Sequence, residues 1–206
     1  MTENISPLPF RQNRFLQAVL AWLLLVWVIA AIHPVSRQDW LIENLLVFAY
    51  GLLLTLTYPR FAFSNLSYGL FGLFMTLHLI GAHYTYSEVP LGFWLQDLLD
   101  LSRNHYDRIV HFSYGLLLAY PMREFLLRVA GIKLRWSYLM TVVSVLAFSA
   151  FYELMEAMVA SIVSPELGAE WLGTQGDEWD EQKDTGLAFS GSIIAMLITW
   201  WASPRN

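Results

Sequence analysis

The sequence contains no cysteine, so it forms no disulfide and offers no thiolate to a metal or a nucleophilic mechanism. Any metal would rest on histidine and carboxylate ligands. Charge is scarce: Asp, Glu, Lys and Arg make up 14% of the 206 residues, where a soluble domain carries about a quarter. Also missing are a glycine-rich phosphate loop, a nucleophile elbow, an HExxH helix and a basic nucleic-acid patch. These absences exclude P-loop, serine-hydrolase and zincin chemistry, and they exclude nucleic acid as a partner. No repeat, low-complexity stretch or linker divides the chain, so residues 1–206 read as one multipass domain.

What fills the chain instead is apolar, at 56% hydrophobic residues. Between Arg14 and Arg37 the only titratable group is His33, and Thr185 to Pro204 holds no ionisable side chain. A spanning helix needs about 20 mainly apolar residues. The reading is an all-α integral membrane protein, a bundle of about six transmembrane helices near 15–33, 40–58, 66–84, 108–127, 137–160 and 184–202. The first apolar stretch, "FLQAVLAWLLLVWVIAAI", exceeds a cleavable signal core and reads as an uncleaved anchor. With both termini cytoplasmic, eight of the 12 Lys and Arg residues fall inside: Arg11, Arg14, Arg60, Arg123, Arg128, Lys133, Arg135 and Arg205. Of the acids only Glu3 and Glu124 fall there. Trp40, Trp94, Trp136, Trp171, Trp179, Trp200 and Trp201 land near the expected boundaries, as an aromatic belt requires. Membrane lipid is the implied partner, and the sequence names no protein partner.

Two outer loops are long. In the 85–107 loop, "GFWLQDLLDLSRN" puts Trp94, Leu95, Leu98 and Leu99 on one helical face and Gln96, Asp97, Asp100 and Arg103 on the other. That pattern fits a short helix on the outer interface, or a packed loop helix. On this topology the unusual polar groups share one level: Glu43, His83, Asp107, His111, Glu153, Glu156 and Asp184, with His78 deeper. Asp107 and His111 are four apart and adjacent on a helix face, as are Glu153 and Glu156 at a spacing of three. Asp177, Asp180 and Asp184 make one stripe if the last helix starts near Gly176.

His83, Asp107, His111, Glu153, Asp180 and Asp184 are candidate ligands for a divalent metal, held as helical bundles hold metals with His and carboxylates. Asp107, His111, Glu153 and Glu156 are candidate catalytic groups, because close carboxylates share a proton as a general acid or base must. Glu88 and Asp180 are candidates for a supporting role. Each has a plainer reading as well: Asp107–Arg108 as a helix-start acid and ion pair, "GDEWDEQKD" as a solvated cap, His78 as a packed histidine.

The segments "GAHYTYSEVP", "NHYDRIVHFSYGLL", "FYELMEA" and "GDEWDEQKD" resemble the YjdF family of bacterial inner-membrane proteins. That resemblance implies a multipass protein of the bacterial inner membrane and brings no assigned activity. Asp107, Arg108, His111 and Phe112 are also similar to the Asp-Lys-x-x-His-Phe that opens a span in VanZ-like membrane proteins, which are associated with glycopeptide resistance. Here Arg108 stands for the lysine, and Asp184 for an asparagine four residues after an aspartate. Three roles fit the residues: an envelope enzyme acting at the outer face on a lipid or lipid-linked substrate, an ion-coupled transporter, or a structural or regulatory membrane protein whose polar groups fix packing.

Overall fold

The computed structural model describes residues 9–203, and among these the chain is helix and loop with no strand. Glu3 and Arg205, counted above toward the cytoplasmic side, lie outside the described residues. After a short 3-10 turn come α1 (Arg14–Ala30), α2 (Arg37–Thr57), α3 (Asn65–His83), α4 (Pro90–Leu99), α5 (Tyr106–Arg128), α6 (Leu134–Ile162), α7 (Pro165–Leu172) and α8 (Asp180–Ala202). Asn13, Ser36, Ser64 and Ser164 accept a hydrogen bond from the third backbone N–H onward and start α1, α2, α3 and α7. α1 stops at Ala30, short of the expected span end, because His33 takes a left-handed φ of 50° and Pro34 has no N–H to donate.

Hydrogen bonds and ion pairs at the ends of α1, α3, α5, α6 and α8 show how these helices run relative to one another. At one end Ser64 donates its N–H and hydroxyl to Glu124 of α5, Arg123 donates to the Ser137 hydroxyl, and Tyr138 meets Ser203. At the other end His83 bonds the Ala30 carbonyl, Arg103 and Arg108 donate to Asp180, and His111 pairs with Glu153. Arg123 is buried among helices, with its guanidinium also over the Tyr138 ring.

The molecule is apolar outside, and its interior mixes apolar core clusters with buried polar and charged groups. Leu24, Leu45, Leu53, Leu139, Leu154 and Leu197 are exposed, while Glu43, Asn44, Glu153 and Asp184 are buried. Lipid favours this inversion, since charge facing hydrocarbon is costly and apolar side chains are not. α2, α3, α6 and α8 are long and apolar enough to cross a membrane, and α1 is apolar but only 17 residues long. α5 falls outside that set although it has 23 residues. It is the central helix, packed on α3, α6 and α8, and its Arg108, His111, Arg123 and Glu124 pair with groups on neighbouring segments.

Two glycines set the α5–α8 contact. A Cβ on Gly115 would lie 1.8 Å from the Ala188 carbonyl oxygen, and one on Gly191 2.3 Å from the Phe112 oxygen. Backbone thus meets backbone, the close approach that small residues allow between helices in lipid. Buried Ala188, Ser192 and Ala195 continue the seam along α8.

The outer segments depart most from expectation. α4 ends at Leu99, where Asp100 turns left-handed, so Arg103 lies in the following loop and is buried instead of lining an exposed helix face. α7 was not anticipated, although "SPEL" offers a serine cap with proline in the first turn. Trp40, expected in the aromatic belt, is buried against Trp27 and under the Arg37 guanidinium.

Candidate functional site

The start of α5 is held from three sides. The Asn104 carboxamide oxygen accepts from the Tyr106 N–H, its nitrogen donates to the Val89 carbonyl, and the Tyr106 hydroxyl donates to the Leu77 carbonyl of α3. Gln175 closes the fourth side by bonding both the N–H and the carbonyl of Asn104. A Cβ on Gly92 would fall 1.7 Å from the Asn104 oxygen, so α4 can seat on this asparagine only through glycine. These ties aim the first turns of α5 at α6 and α8.

Asp107 and His111 meet on that face. His111 Nε2 lies 3.4 Å from Asp107 Oδ1, and its Nδ1 lies 3.5 Å from Glu153 Oε1 on α6. The glycine seam brings α8 close enough that ligand atoms of Asp107, His111 and Asp184 all lie within 4.8 Å of one another. Asp184 Oδ1 and Glu153 Oε1 are buried and accept no hydrogen bond among the described residues. Glu156 is one turn further along α6 and feels the charges of Glu153, Asp107 and Glu43.

A second buried group adjoins the first. Glu43 of α2 and His78 of α3 are 3% and 2% exposed, with Oε2 and Nε2 3.8 Å apart and neither hydrogen-bonded. His78 Nδ1 lies 2.6 Å from the Tyr86 hydroxyl. Burial, then the charges of Glu43 and Asp107, holds the Tyr86 phenol well above its ordinary pKa, so it keeps its proton. Glu43 in turn lies within electrostatic reach of Asp39, Asp107 and His111.

The expected stripe on the last helix does not form as one row. α8 starts at Asp180, and Asp177 stays in the loop, where it accepts from the Trp179 N–H, Lys183 and Arg108. The Lys183 bond first, then that N–H and Arg108, pulls the Asp177 carboxyl well below the ordinary range. Asp180 is gripped by Arg103 through two nitrogens, at 2.6 and 3.2 Å, and by Arg108 at 3.3 Å. His83 is elsewhere: its Nδ1 sits 2.9 Å from the Ala30 carbonyl and its ring packs on Tyr84, so it does not join Asp107 and His111. Glu88 is exposed. Of the expected residues, the structure therefore gathers Asp107, His111, Glu153, Glu156 and Asp184, and draws Asp180 into the guanidinium cluster. Tyr86 and Arg103 were not foreseen in this neighbourhood, and only the adjacency of Arg103 to Asn104 hinted at it.

The family described as "Predicted membrane protein (DUF2238)" matches residues 15–205. The chain belongs to this family. It is 35% identical over 198 residues to "Inner membrane protein YjdF" of Escherichia coli (strain K12), covering 96% of this chain and 91% of that protein. No solved structure matches it significantly. As a member of the family the chain is a multi-pass inner-membrane protein, and the likeness read in its four segments holds over nearly its whole length.

Proposed function

We propose that this chain is an envelope enzyme whose His/carboxylate centre works at the outer membrane face on a lipid or lipid-linked substrate, by metal-assisted or acid/base catalysis. The reading takes α1, α2, α3, α5, α6 and α8 as six spans with both termini cytoplasmic, which puts the Asp107 end of the bundle outside. One observation carries it: Asp107, His111 and Asp184 offer ligand atoms within 4.8 Å of one another inside an apolar bundle, beside a buried carboxylate oxygen with no hydrogen bond. Groups so costly to bury are retained when something uses them.

The three side chains suit a divalent cation, which supplies Lewis acidity toward a phosphoryl or carbonyl oxygen when bound. His111 would ligate through Nε2, beside Asp107, leaving its Nδ1–H to Glu153; this carboxylate–imidazole arrangement orients and strengthens a metal-binding histidine. Glu153 and Glu156 then offer carboxylates for proton transfer. His83 and Asp180 leave the proposed ligand set, being engaged by Ala30 and by Arg103.

The ion pairs of His111 with Asp107 and Glu153 also support a second reading, a polar network that only fixes helix packing. Elemental analysis of purified chain after exposure to Zn²⁺, Mn²⁺, Mg²⁺ or Fe²⁺ separates the two. The enzyme reading expects about one ion per chain, lost in Asp107→Asn without loss of the folded state. No bound ion, with a lowered melting temperature in Asp107→Asn, supports the packing network.

A further inference from the structure

Next to the Asp107 centre, at the same end of the bundle, a cavity of about 390 Å³ opens between the α4–α5 loop, the first turn of α5 and the α7–α8 loop. Arg103, His105, Arg108, Gln175, Asp177 and Lys183 form most of its wall. We propose that this cavity binds a phosphate group, and so marks the substrate of the centre as a phosphate-bearing molecule of the outer leaflet. The inference rests on the reading above for the substrate's role, though not for the binding itself.

Charge bookkeeping points to an anion. Three fixed cations, Arg103, Arg108 and Lys183, pair with only two carboxylates, Asp177 and Asp180, so the ion-paired cluster taken by itself carries one excess positive charge. A phosphodiester carries one negative charge and would balance it. Arg108 Nε is buried and has no acceptor, and His105 Nδ1 is likewise buried without a partner. An orphaned guanidinium donor suits a tetrahedral oxyanion, which arginine engages through its planar fork.

Size and place agree as well. The volume equals about a dozen waters, enough for a phosphate with its first substituents. Gly176, at φ 84°, adds no side chain to the wall and has open space at its Cβ position. Arg108 follows Asp107 directly, and Asp180 precedes Asp184 by four residues, about 6 Å along the helix. A phosphate in the cavity therefore stands about one helical turn from the proposed cation ligands. Asp177 and Asp180 hold the cations in place while the excess charge remains for the ligand.

The test is calorimetric titration of the full chain in maltoside micelles with EDTA present, so that it does not depend on the cation centre. The probes are dihexanoyl phosphatidylglycerol, dihexanoyl phosphatidylcholine and orthophosphate. Phosphatidylglycerol or orthophosphate should bind once per chain, and the probe that does so identifies the source as lipid headgroup or free phosphate. Lys183→Gln, at a 47% exposed side chain paired with Asp177, should weaken that binding about tenfold, the loss expected for one charge-assisted contact, with the melting temperature checked against the native chain. Arg108→Gln should weaken it at least as much. Arg37→Gln, at the same end of the bundle but outside the cavity, should leave it unchanged. Binding indifferent to Lys183→Gln, equal binding of phosphatidylcholine, or no saturable binding of any probe overturns the proposal. A Lys183-sensitive phosphate site in a chain that holds no divalent ion keeps the cavity and rejects the metal centre.

Discussion

Replacing Gly115 with alanine sets a Cβ 1.8 Å from the Ala188 carbonyl oxygen and 2.9 Å from the Ser192 nitrogen. Both are backbone atoms of α8, so no rotamer change relieves the clash. α8 must retreat by about 1.5 Å to regain ordinary contact. Overpacking of this kind costs about 1–3 kcal/mol, and in lipid no hydrophobic force drives the helices back together. For a chain of this length each kcal/mol corresponds to about 2–4 °C of melting temperature. Gly115→Ala should thus melt several degrees below the native chain in detergent. The retreat also carries Asp184 away from Asp107 and His111, so divalent-cation binding should weaken more than stability alone explains. Gly186→Ala, on the partner helix α8, is the control. Nothing lies within 4 Å of its Cβ position, and higher helix propensity should leave it neutral or stabilised by up to about 1 kcal/mol. Equal melting of native and Gly115→Ala chains, with cation binding intact, would refute the account of the α5–α8 seam.

Topology is checked with reporter fusions: those after Arg60 and Arg135 should report cytoplasm and those within 166–171 the outside, and the reverse pattern would move the polar centre to the inner face. The His105 imidazole, with its pKa lowered by burial and by Arg108 and Arg103, should titrate by NMR below the ordinary value of about 6.5. Its unfolded form binds the proton more readily, so its contribution to stability is full above about pH 6.5 and fades as pH falls through the folded value. Arg108→Gln should bring the midpoint back up, and an unshifted native midpoint would contradict the positive field. Asp177, depressed by Lys183 and its other donors, contributes above the ordinary carboxylate value of about 3.9 and loses that contribution on acidification below it. Amide protection in the 173–179 loop, taken relative to the intrinsic exchange rate at each pH, should fall at acid pH in the native chain and be low at all pH in Asp177→Asn; equal protection in both would remove the Asp177 bridge from the account.

Periodicity and charge scarcity made the helical class and the long apolar segments legible, since both are local properties. Helix ends were less so. The left-handed turns at His33 and Asp100 shorten α1 and α4, and neither residue type advertises that conformation as glycine does. Within the site, Asp107–His111 was readable because a spacing of four fixes adjacency on one helix. The Asp184 contact was readable only as a shared depth, because the glycine seam that brings α8 against α5 is a tertiary fact. His83 misled for the same reason: depth placed it correctly along the bundle, but rotation about α3 turned it to Ala30 while His78 faced Glu43. Arg103 was assigned to an exposed helix face, and its burial follows from Asp180, a partner 77 residues away.

The central claim is that Asp107, His111 and Asp184 act as one cation-binding unit, and a double-mutant cycle across α5 and α8 tests it most directly. Mn²⁺ and Zn²⁺ affinities are measured for the native chain, Asp107→Asn, Asp184→Asn and the double variant, with folding checked by melting temperature. The account predicts about one ion per native chain, at least a tenfold loss in each single variant, and a double variant little worse than either, as expected of groups that work as a unit. Absence of saturable binding in the native chain, or losses that add independently and follow melting temperature alone, would contradict it.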